Sequence, residues 1–98
     1  MPSDSLLEAD YKAPGGKLVR VRLARKDDVI SWIKVYGDFF LIPEDSLLEM
    51  ENLLRGTLLR EEEVKHRLDR FFALTGVQTL GESTEDFVKA ILSAKPVV

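Results

Sequence analysis

The sequence is marked first by what it lacks. Its 98 residues contain no cysteine, one histidine and one tryptophan. The absence of cysteine excludes disulfides, thiol nucleophiles and thiolate metal ligands. A single histidine excludes a metal site built from several imidazoles. No stretch approaches the roughly 18 consecutive apolar residues that a membrane-spanning helix needs. We therefore expect no metal site and no association with a membrane.

What is present indicates one small domain. A chain of 98 residues that is 45% hydrophobic and 32% charged is typical of a single globular unit. We expect one domain over residues 1–98, with residues 1–6 flexible. The first ten residues contain acids and no basic segment, so no secretory signal is predicted and the cytoplasm is the expected location.

The charge is unevenly distributed along the chain. Six bases and no acid lie between Lys12 and Lys26, although the net charge is −3. This asymmetry predicts either a surface for an anionic partner or internal pairing between strand and helix charges. The residues Arg20, Arg22 and Trp32 could form a basic and aromatic nucleic-acid platform. A pI of about 5.1 and the lack of an RNP-type aromatic pattern argue against it, so we expect no nucleic acid.

The first half of the chain predicts strands. Residues 17–25 alternate, with Val19, Val21 and Leu23 on one side and bases on the other, which is typical of a half-buried strand. Residues 29–36 are rich in β-branched and aromatic side chains, and the short turn before them predicts an antiparallel hairpin. Residues 7–12 are compatible with a third strand at the sheet edge. Residues 37–42 are expected to end the sheet.

The second half predicts three helices. The first is expected to begin at Pro43 and end before Gly56, with a broad apolar arc that implies burial on more than one face. The second covers about residues 61–74, with a narrow apolar face and Gly76 as its end. The third is capped by Ser83 and stopped by Pro96. Strands followed by helices predict a two-layer α+β fold: a small antiparallel sheet of two to three strands packed by about three helices.

Two short motifs contain the candidate polar site. Gly15, Gly16 and Lys17 form a turn that either starts a hairpin or contacts a phosphate, although no complete phosphate-binding loop is present. Asp38 follows Gly37 where the sheet is expected to end. It is either a turn acid or helix cap, or a group that orients a basic partner.

Other singled-out residues also have two interpretations. Phe39 and Phe40 should point to opposite sides of an extended chain, so that one is buried and the other marks a docking surface; burial of both is the alternative. Glu51 lies inside the apolar arc and is expected to pair with Arg20 or Arg22, or else to face a partner. His66 is expected on the solvated surface. No self-contained catalytic set is present, so we assign no catalytic residue.

Three segments together resemble a known family. They are Tyr11 to Val21 (YKAPGGKLVRV), Gly37 to Pro43 (GDFFLIP) and Leu54 to Leu58 (LRGTL). In this order they resemble the C-terminal accessory domain of lipoate–protein ligases, over roughly residues 7–92. In archaea that domain can be a separate small subunit. The arginine- and glycine-rich motif of the large catalytic domain is missing here.

The resemblance implies a function that this chain performs as part of a complex. The large subunit makes lipoyl-AMP from lipoate and ATP and transfers the lipoyl group to a lysine of a carrier domain. The accessory subunit, in a heterodimer with it, is required for the activation step. The implied small molecules, ATP, Mg²⁺ and lipoate, belong to the complex and are not bound by this chain alone. The implied interface or adenylate-proximal residues are Gly15, Gly16, Lys17, Gly37, Asp38, Phe39 and Phe40.

A more distant resemblance is to the iron–sulfur scaffold fold. There a glycine–cysteine pair ends the second strand, where this chain has Gly37 and Asp38, and a later turn matches Gly56 and Thr57. Because cysteine is absent, cluster assembly does not carry over, and only the topology is implied. The alternative function is therefore a non-catalytic adaptor module with this fold.

Overall fold

The computed structural model describes residues 5–15, 17–80 and 83–97. The elements in chain order are β1 (Ser5–Lys12), β2 (Leu18–Lys26), β3 (Val29–Gly37), β4 (Phe40–Ile42), α1 (Ser46–Leu54), α2 (Glu61–Thr75), β5 (Gln78–Leu80), α3 (Thr84–Leu92) and β6 (Lys95–Pro96). Four strands form an antiparallel sheet in the order β3-β2-β1-β6, and β4 and β5 form a second sheet. The predicted α+β class and three helices are confirmed, whereas the sheet is larger than expected.

Alternating side chains account for the β2–β3 hairpin. Val19, Val21 and Leu23 are buried, while Arg20 and Arg22 between them are exposed. The turn uses Asp27 and Asp28, both with positive φ (53° and 65°), which is the geometry that matches the twist of a tight hairpin. The predicted hairpin is confirmed.

Two features extend the sheet beyond the prediction on the side of β1: this strand begins earlier than expected, and β6 pairs with it. Ser5 and Leu6, in the segment expected to be flexible, pair with Arg25 and Ala24 as the start of β1. Residues 1–4 lie outside the described part. The prediction that β1 is an edge strand is wrong, because β6 pairs on its outer side through Pro96 opposite Leu7. A two-residue strand so distant in sequence has no periodicity by which it could be recognised.

Two prolines, Pro43 and Pro96, were predicted to mark helix ends, and neither does so. Pro96 does not stop α3, which already ends at Leu92; it lies in β6, where a missing N–H is tolerated at a sheet edge. Pro43 is not in the first helix. The N–H of Ser46 donates to the Pro43 carbonyl at 3.1 Å, an i−3 turn bond, and α1 begins at Ser46. The predicted helix start is therefore three residues too early.

Helix ends in the second half follow local chemistry. Gly76 ends α2 with φ of +70°, the left-handed conformation that glycine adopts without strain. The Ser83 hydroxyl accepts from the Asp86 N–H, and the Asp86 carboxylate accepts from the Ser83 N–H, so the predicted capping box is confirmed. The predicted link after Gly76 contains β5, which was missed because three residues are too few to show a period.

One hydrophobic core lies between the sheet and the helices. The side chains that face inward from the strands meet Met50 and Leu54 of α1, Leu68 of α2 and Phe87 of α3, all fully buried. The Phe39 ring stands edge-on to Phe87 with a centroid distance of 4.9 Å. Helix α1 contacts β3 and helix α3 contacts β1 and β2 on this inner face, and α2 packs against both of those helices, so the helical layer lies on one side of the sheet.

Glu51 protects the edge of β3. Its carboxylate Oε2 accepts a hydrogen bond from the Val35 N–H at 2.7 Å, a backbone group that the sheet leaves without a strand partner. The expected pairing of Glu51 with Arg20 or Arg22 is wrong. Those side chains lie on the opposite face of the sheet from α1, so they cannot reach it.

Candidate functional site

The Gly15–Lys17 turn connects β1 to β2 at one end of the sheet. The Ala13 N–H donates to the Lys17 carbonyl at 2.7 Å and closes the turn. Gly15 has φ of +93°, which favours glycine. Gly16 lies outside the described residues. The Lys17 side chain is exposed, so its ammonium group is available to an anionic partner.

Gly37 and Asp38 meet this turn through the backbone of Leu18. The Leu18 N–H donates to the Asp38 carboxylate at 3.3 Å, and the Asp38 N–H donates to the Leu18 carbonyl at 2.8 Å. Gly37 has φ of +146°, and a Cβ there would collide with the Leu18 carbonyl oxygen. The fold therefore joins the two predicted motifs directly. Asp38 acts as a turn acid that holds the start of β2, and it does not cap a helix.

The two phenylalanines separate as an extended chain requires. Phe39 is 7% exposed and packs in the core, whereas Phe40 is 67% exposed. The prediction that one is buried and the other is free is confirmed, and the alternative that both are buried is wrong. Phe40 lies opposite Leu80 in the second sheet, and Ile42 follows two residues later on the same side. We call Phe40, Ile42 and Leu80 the small-sheet patch.

The sequence did not single out Ile42 and Leu80. Both are about half exposed, at 47% and 52%. The signal that could have found Ile42 is its spacing of two from Phe40, but Leu80 joins the patch only through the pairing of β5 with β4. A contact between elements so distant in sequence has no local signature.

The apolar arc of α1 is only partly buried. Met50 and Leu54 are fully buried and Leu47 and Leu53 are half-buried, but Leu48 is 61% exposed. The prediction that the broad apolar arc of this helix is buried on more than one face is thus wrong for Leu48. Leu48 belongs to α1, and α1 contacts β4, so its exposed side chain lies on a helix that adjoins the small-sheet patch.

The other charged residues that the sequence singled out lie on the surface and form no further site among the described residues. Arg20 pairs with Asp10 at 3.7 Å and Arg22 with Glu8 at 3.8 Å, so both bases of the suspected nucleic-acid platform already have carboxylate partners. His66 is exposed, as expected. Within residues 5–15, 17–80 and 83–97, no group of three or more possible metal ligands comes together. None of the helices in that part has the length and apolar character needed to cross a bilayer.

Comparison with known proteins decides the family. Residues 7–91 match the model for the bacterial lipoate protein ligase C-terminus. The chain belongs to this family. It is 39% identical over 82 residues to lipoate-protein ligase A subunit 2 of Thermoplasma acidophilum, covering 84% of this chain and 83% of that protein.

A solved structure agrees with the lipoate protein ligase assignment. It comes from the structural analysis of an archaeal lipoylation system, a bipartite lipoate protein ligase and its E2 lipoyl domain, also from Thermoplasma acidophilum. One of its chains superposes with a TM-score of 0.79 at 34% identity, over 90% of this chain and 96% of that one. The resemblance predicted over residues 7–92 is therefore confirmed at the level of family and fold. The further likeness to an iron–sulfur scaffold stays a prediction.

Proposed function

We propose that this chain is the small accessory subunit of a bipartite lipoate–protein ligase of the archaeal type. It forms a heterodimer with the large catalytic subunit. There it is required for ATP-dependent activation of lipoate to lipoyl-AMP, before transfer to a lysine of a carrier domain. The observation that carries the proposal is the 39% identity to a protein named as subunit 2 of such a ligase, over most of both chains. This family membership favours the ligase role over an unrelated adaptor.

The small-sheet patch is the proposed docking surface for the large subunit. Phe40, Ile42 and Leu80 expose apolar side chains side by side, which is unfavourable in water and favourable in an interface. Aromatic side chains such as Phe40 bury about 150–250 Å² each and dominate the energetics of interfaces. Leu48 on the neighbouring α1 extends the apolar character of this end of the molecule.

Lys17 is the residue proposed to approach the adenylate. The Leu18–Asp38 hydrogen bonds tie its turn to the chain segment that continues directly into Phe40. Docking through Phe40 would thus also position the Lys17 turn against the large subunit. The ammonium group would there stabilise phosphate charge, and the bound subunit would order the binding loops and exclude water.

The small molecules belong to the complex in this proposal. ATP, Mg²⁺ and lipoate bind at the large subunit, and the present chain contributes no catalytic group of its own. Gly15, Gly37 and Asp38 serve to shape and hold the turn. The pair acts in the cytoplasm, where its carrier proteins and ATP are found.

The first test separates activation from transfer. The large subunit is assayed with and without this chain, once for pyrophosphate release from ATP and lipoate and once for transfer from synthetic lipoyl-AMP. We expect activation to depend on the chain and transfer to proceed without it. Activation that is unchanged when the chain is omitted would exclude the accessory role.

A second test addresses Lys17. Lys17→Glu should lower the rate of activation more than the rate of transfer, because the reversed charge repels the phosphates. Lys26→Glu, at the far end of the strand that follows Lys17, is the matched control and should change neither rate. Equal losses in both half-reactions would show that Lys17 has no specific part in activation.

A third test addresses docking. Phe40→Asp should weaken association with the large subunit by roughly tenfold or more, as expected for a buried aromatic in an interface. Leu92→Asp on α3 places the same charge at an exposed leucine away from the patch and should leave association unchanged. Size-exclusion co-elution and titration calorimetry measure the difference. Similar behaviour of the two variants would remove the patch from the interface.

A further inference from the structure

The two edges of the four-stranded sheet are covered unequally. At the β3 edge, the Ile30 N–H donates to the Thr57 carbonyl at 2.9 Å, and the Ile30 carbonyl accepts from the Gly56 N–H at 2.7 Å. Further along this edge, Glu51 accepts from the Val35 N–H. The loop after α1 and a helix side chain thus occupy backbone groups of β3 that would otherwise attract another strand.

The outer edge of β1 is covered for only part of its length. The strand β6 pairs with Leu7 and Glu8 and reaches no further. Among the described residues, no strand pairs with the outer side of residues 9–12, which we call the free edge. A groove of about 360 Å³ lies there, bordered on its other side by Ser93 and Lys95. The free edge contains neither a proline nor a bulge, two features that commonly protect an edge strand.

Asp10 and Lys12 direct their backbone groups toward this groove. The Leu6 carbonyl accepts from the residue that follows β6, at 3.0 Å, and therefore faces away from β2. Backbone groups alternate between the two neighbours of a regular strand, so those of Asp10 and Lys12 also face away from β2. The bond from the Ala13 N–H to the Lys17 carbonyl agrees with this alternation, because odd-numbered residues face β2. An extended chain in the groove could pair with the outward groups.

The free edge also presents two opposite charges. Asp10 and Lys12 are exposed on the face opposite the helices, two positions apart. Asp10 pairs with Arg20 at 3.7 Å but is 69% exposed, so its other carboxylate oxygen can accept from a further donor. Within the described part of the chain, no carboxylate lies within ion-pair distance of Lys12. The edge therefore offers an accessible anion beside an unneutralised cation.

We propose that the free edge pairs with the free edge of a second copy of this chain, antiparallel and about a two-fold axis at Tyr11. This register places Asp10 of each copy directly opposite Lys12 of the other, where opposite charges attract. The same two residues have the outward backbone groups, so each pair exchanges both of its N–H···O=C bonds.

The pattern of the free edge selects a second copy among the possible occupants. A closed two-fold interface requires a surface that is complementary to itself, and Asp10 and Lys12 on either side of Tyr11 satisfy that condition. Shifting the register by two residues would place Asp10 opposite Asp10 or Lys12 opposite Lys12, which is repulsive. Because β6 ends the pairing at Glu8, the interface is short. We therefore expect a weak dimer with a Kd of roughly 10–100 μM.

This pairing goes beyond the proposed ligase role and does not depend on it. It uses neither the small-sheet patch nor the Lys17 side chain, which are the groups proposed to meet the large subunit. In the ligase, the pairing would join two heterodimers into one assembly. Its test therefore uses the full chain alone.

Analytical ultracentrifugation over a range of concentrations tests the charge pairing. We expect a monomer–dimer equilibrium in the wild type. Lys12→Asp and Asp10→Lys should each raise the Kd by roughly tenfold or more, because each places like charges opposite each other. Mixing the two variants should restore the dimer, since every carboxylate of one then faces an ammonium group of the other. A structural defect would not be rescued in this way. Lys34→Asp, on the same face of β3, is the matched charge reversal and should leave the Kd unchanged.

A disulfide trap tests the register. The chain has no cysteine, so a single introduced thiol can link only to its copy. At the axis, the two residues at position 11 form a non-hydrogen-bonded pair, whose Cβ atoms lie close enough for a disulfide. Tyr11→Cys should form a covalent dimer with diamide, which takes up the protons and electrons of the two thiols. Ser5→Cys, at the other end of the same strand, should stay monomeric. Unfolding midpoints of the reduced variants show whether they are folded.

Three results would each overturn the pairing of the free edge. The first is a wild-type chain that stays monomeric up to about 1 mM. The second is a dimer that survives Lys12→Asp and Asp10→Lys but is lost in Phe40→Asp, because it would use the small-sheet patch. The third is slower amide exchange at Asp10 and Lys12 only after the large subunit is added, which would assign the edge to that partner. A large subunit that activates lipoate without this chain would instead contradict the proposed function.

Discussion

The two faces of the four-stranded sheet come from the same residues and have opposite properties. On the inner face Val21 and Leu23 are at most 1% exposed and contact the helices, whereas Arg22 between them is exposed on the opposite face. We call this second face, to which Glu8, Arg20, Arg22, Trp32 and Lys34 point, the open face. The difference follows from the two-residue period of a strand, which sends neighbouring side chains to opposite sides. It teaches that the inner face carries the hydrophobic core, whereas the open face consists mainly of side chains in contact with solvent.

Truncating one aromatic side chain on each face of the sheet tests this difference most directly. Phe87→Ala removes a fully buried ring that packs against Phe39 and should cost about 4 kcal/mol of unfolding free energy. Trp32→Ala on the open face should cost less than about 1 kcal/mol, because its ring is already 41% exposed. Urea unfolding followed by circular dichroism measures both. Similar losses would mean that the open face is also part of the core.

A backbone contact at the end of β3 has the next largest effect. Gly37→Ala should cost about 3 kcal/mol, because the new Cβ collides with the Leu18 carbonyl and the residue must keep φ of +146°. Gly15→Ala is the control, since open space surrounds its Cβ and only the positive φ opposes the change. The same unfolding experiment compares them, and equal costs would argue against the steric contact.

Glu51 tests how the helical layer supports the edge of the sheet. Glu51→Ala leaves the Val35 N–H without its acceptor and should lower the unfolding free energy by about 1.5 kcal/mol. Glu49→Ala on the exposed side of α1 should change it by less than about 0.5 kcal/mol. Faster amide exchange at Val35 in the first variant alone would assign the effect to that hydrogen bond. Unaltered exchange there would contradict it.

Thr57 tests the packing in the loop that covers the start of β3. Its side chain is 1% exposed, and within the described residues its hydroxyl has no hydrogen-bond partner. Thr57→Val keeps the shape and removes the buried polar group, so stability should rise by about 1 kcal/mol. A loss of stability in thermal unfolding would show that the hydroxyl is hydrogen-bonded in solution.

The smallest effect belongs to the open-face ion pairs. Glu8 and Arg22 are 49% and 62% exposed, so their interaction is screened by water. Glu8→Gln should change the unfolding free energy by less than about 0.5 kcal/mol. A double-mutant cycle with Arg22→Gln measures the coupling. A coupling well above 1 kcal/mol would mean that the charges of the open face also stabilise the fold.

The sequence predicted the elements that have strong local signals. The alternation in β2, the narrow apolar face of α2 and the capping box at Ser83 each depend on neighbouring residues, and each is present as expected. The strands β4, β5 and β6 were missed because they contain only two or three residues. Pro43 and Pro96 were misplaced because proline is compatible with a helix start, a turn and a sheet edge alike.

The candidate site was predicted in part. The motifs around Lys17 and Asp38 were found from turn residues, and the separation of Phe39 from Phe40 followed from an extended backbone. Their meeting at Leu18 was not predictable, because the two hydrogen bonds join residues that are twenty positions apart. The pairing of Phe40 with Leu80 is of the same kind, with even greater separation.

The sequence by itself determined the class of fold and the family. Composition, period and short motifs are local properties, and they can be read without knowing which elements meet. Only the tertiary structure decided which apolar side chains stay exposed, where Glu51 finds its partner, and that Leu6, Trp32 and Val97 line one groove. These features depend on strand register and layer order, which arise from packing between residues distant along the chain.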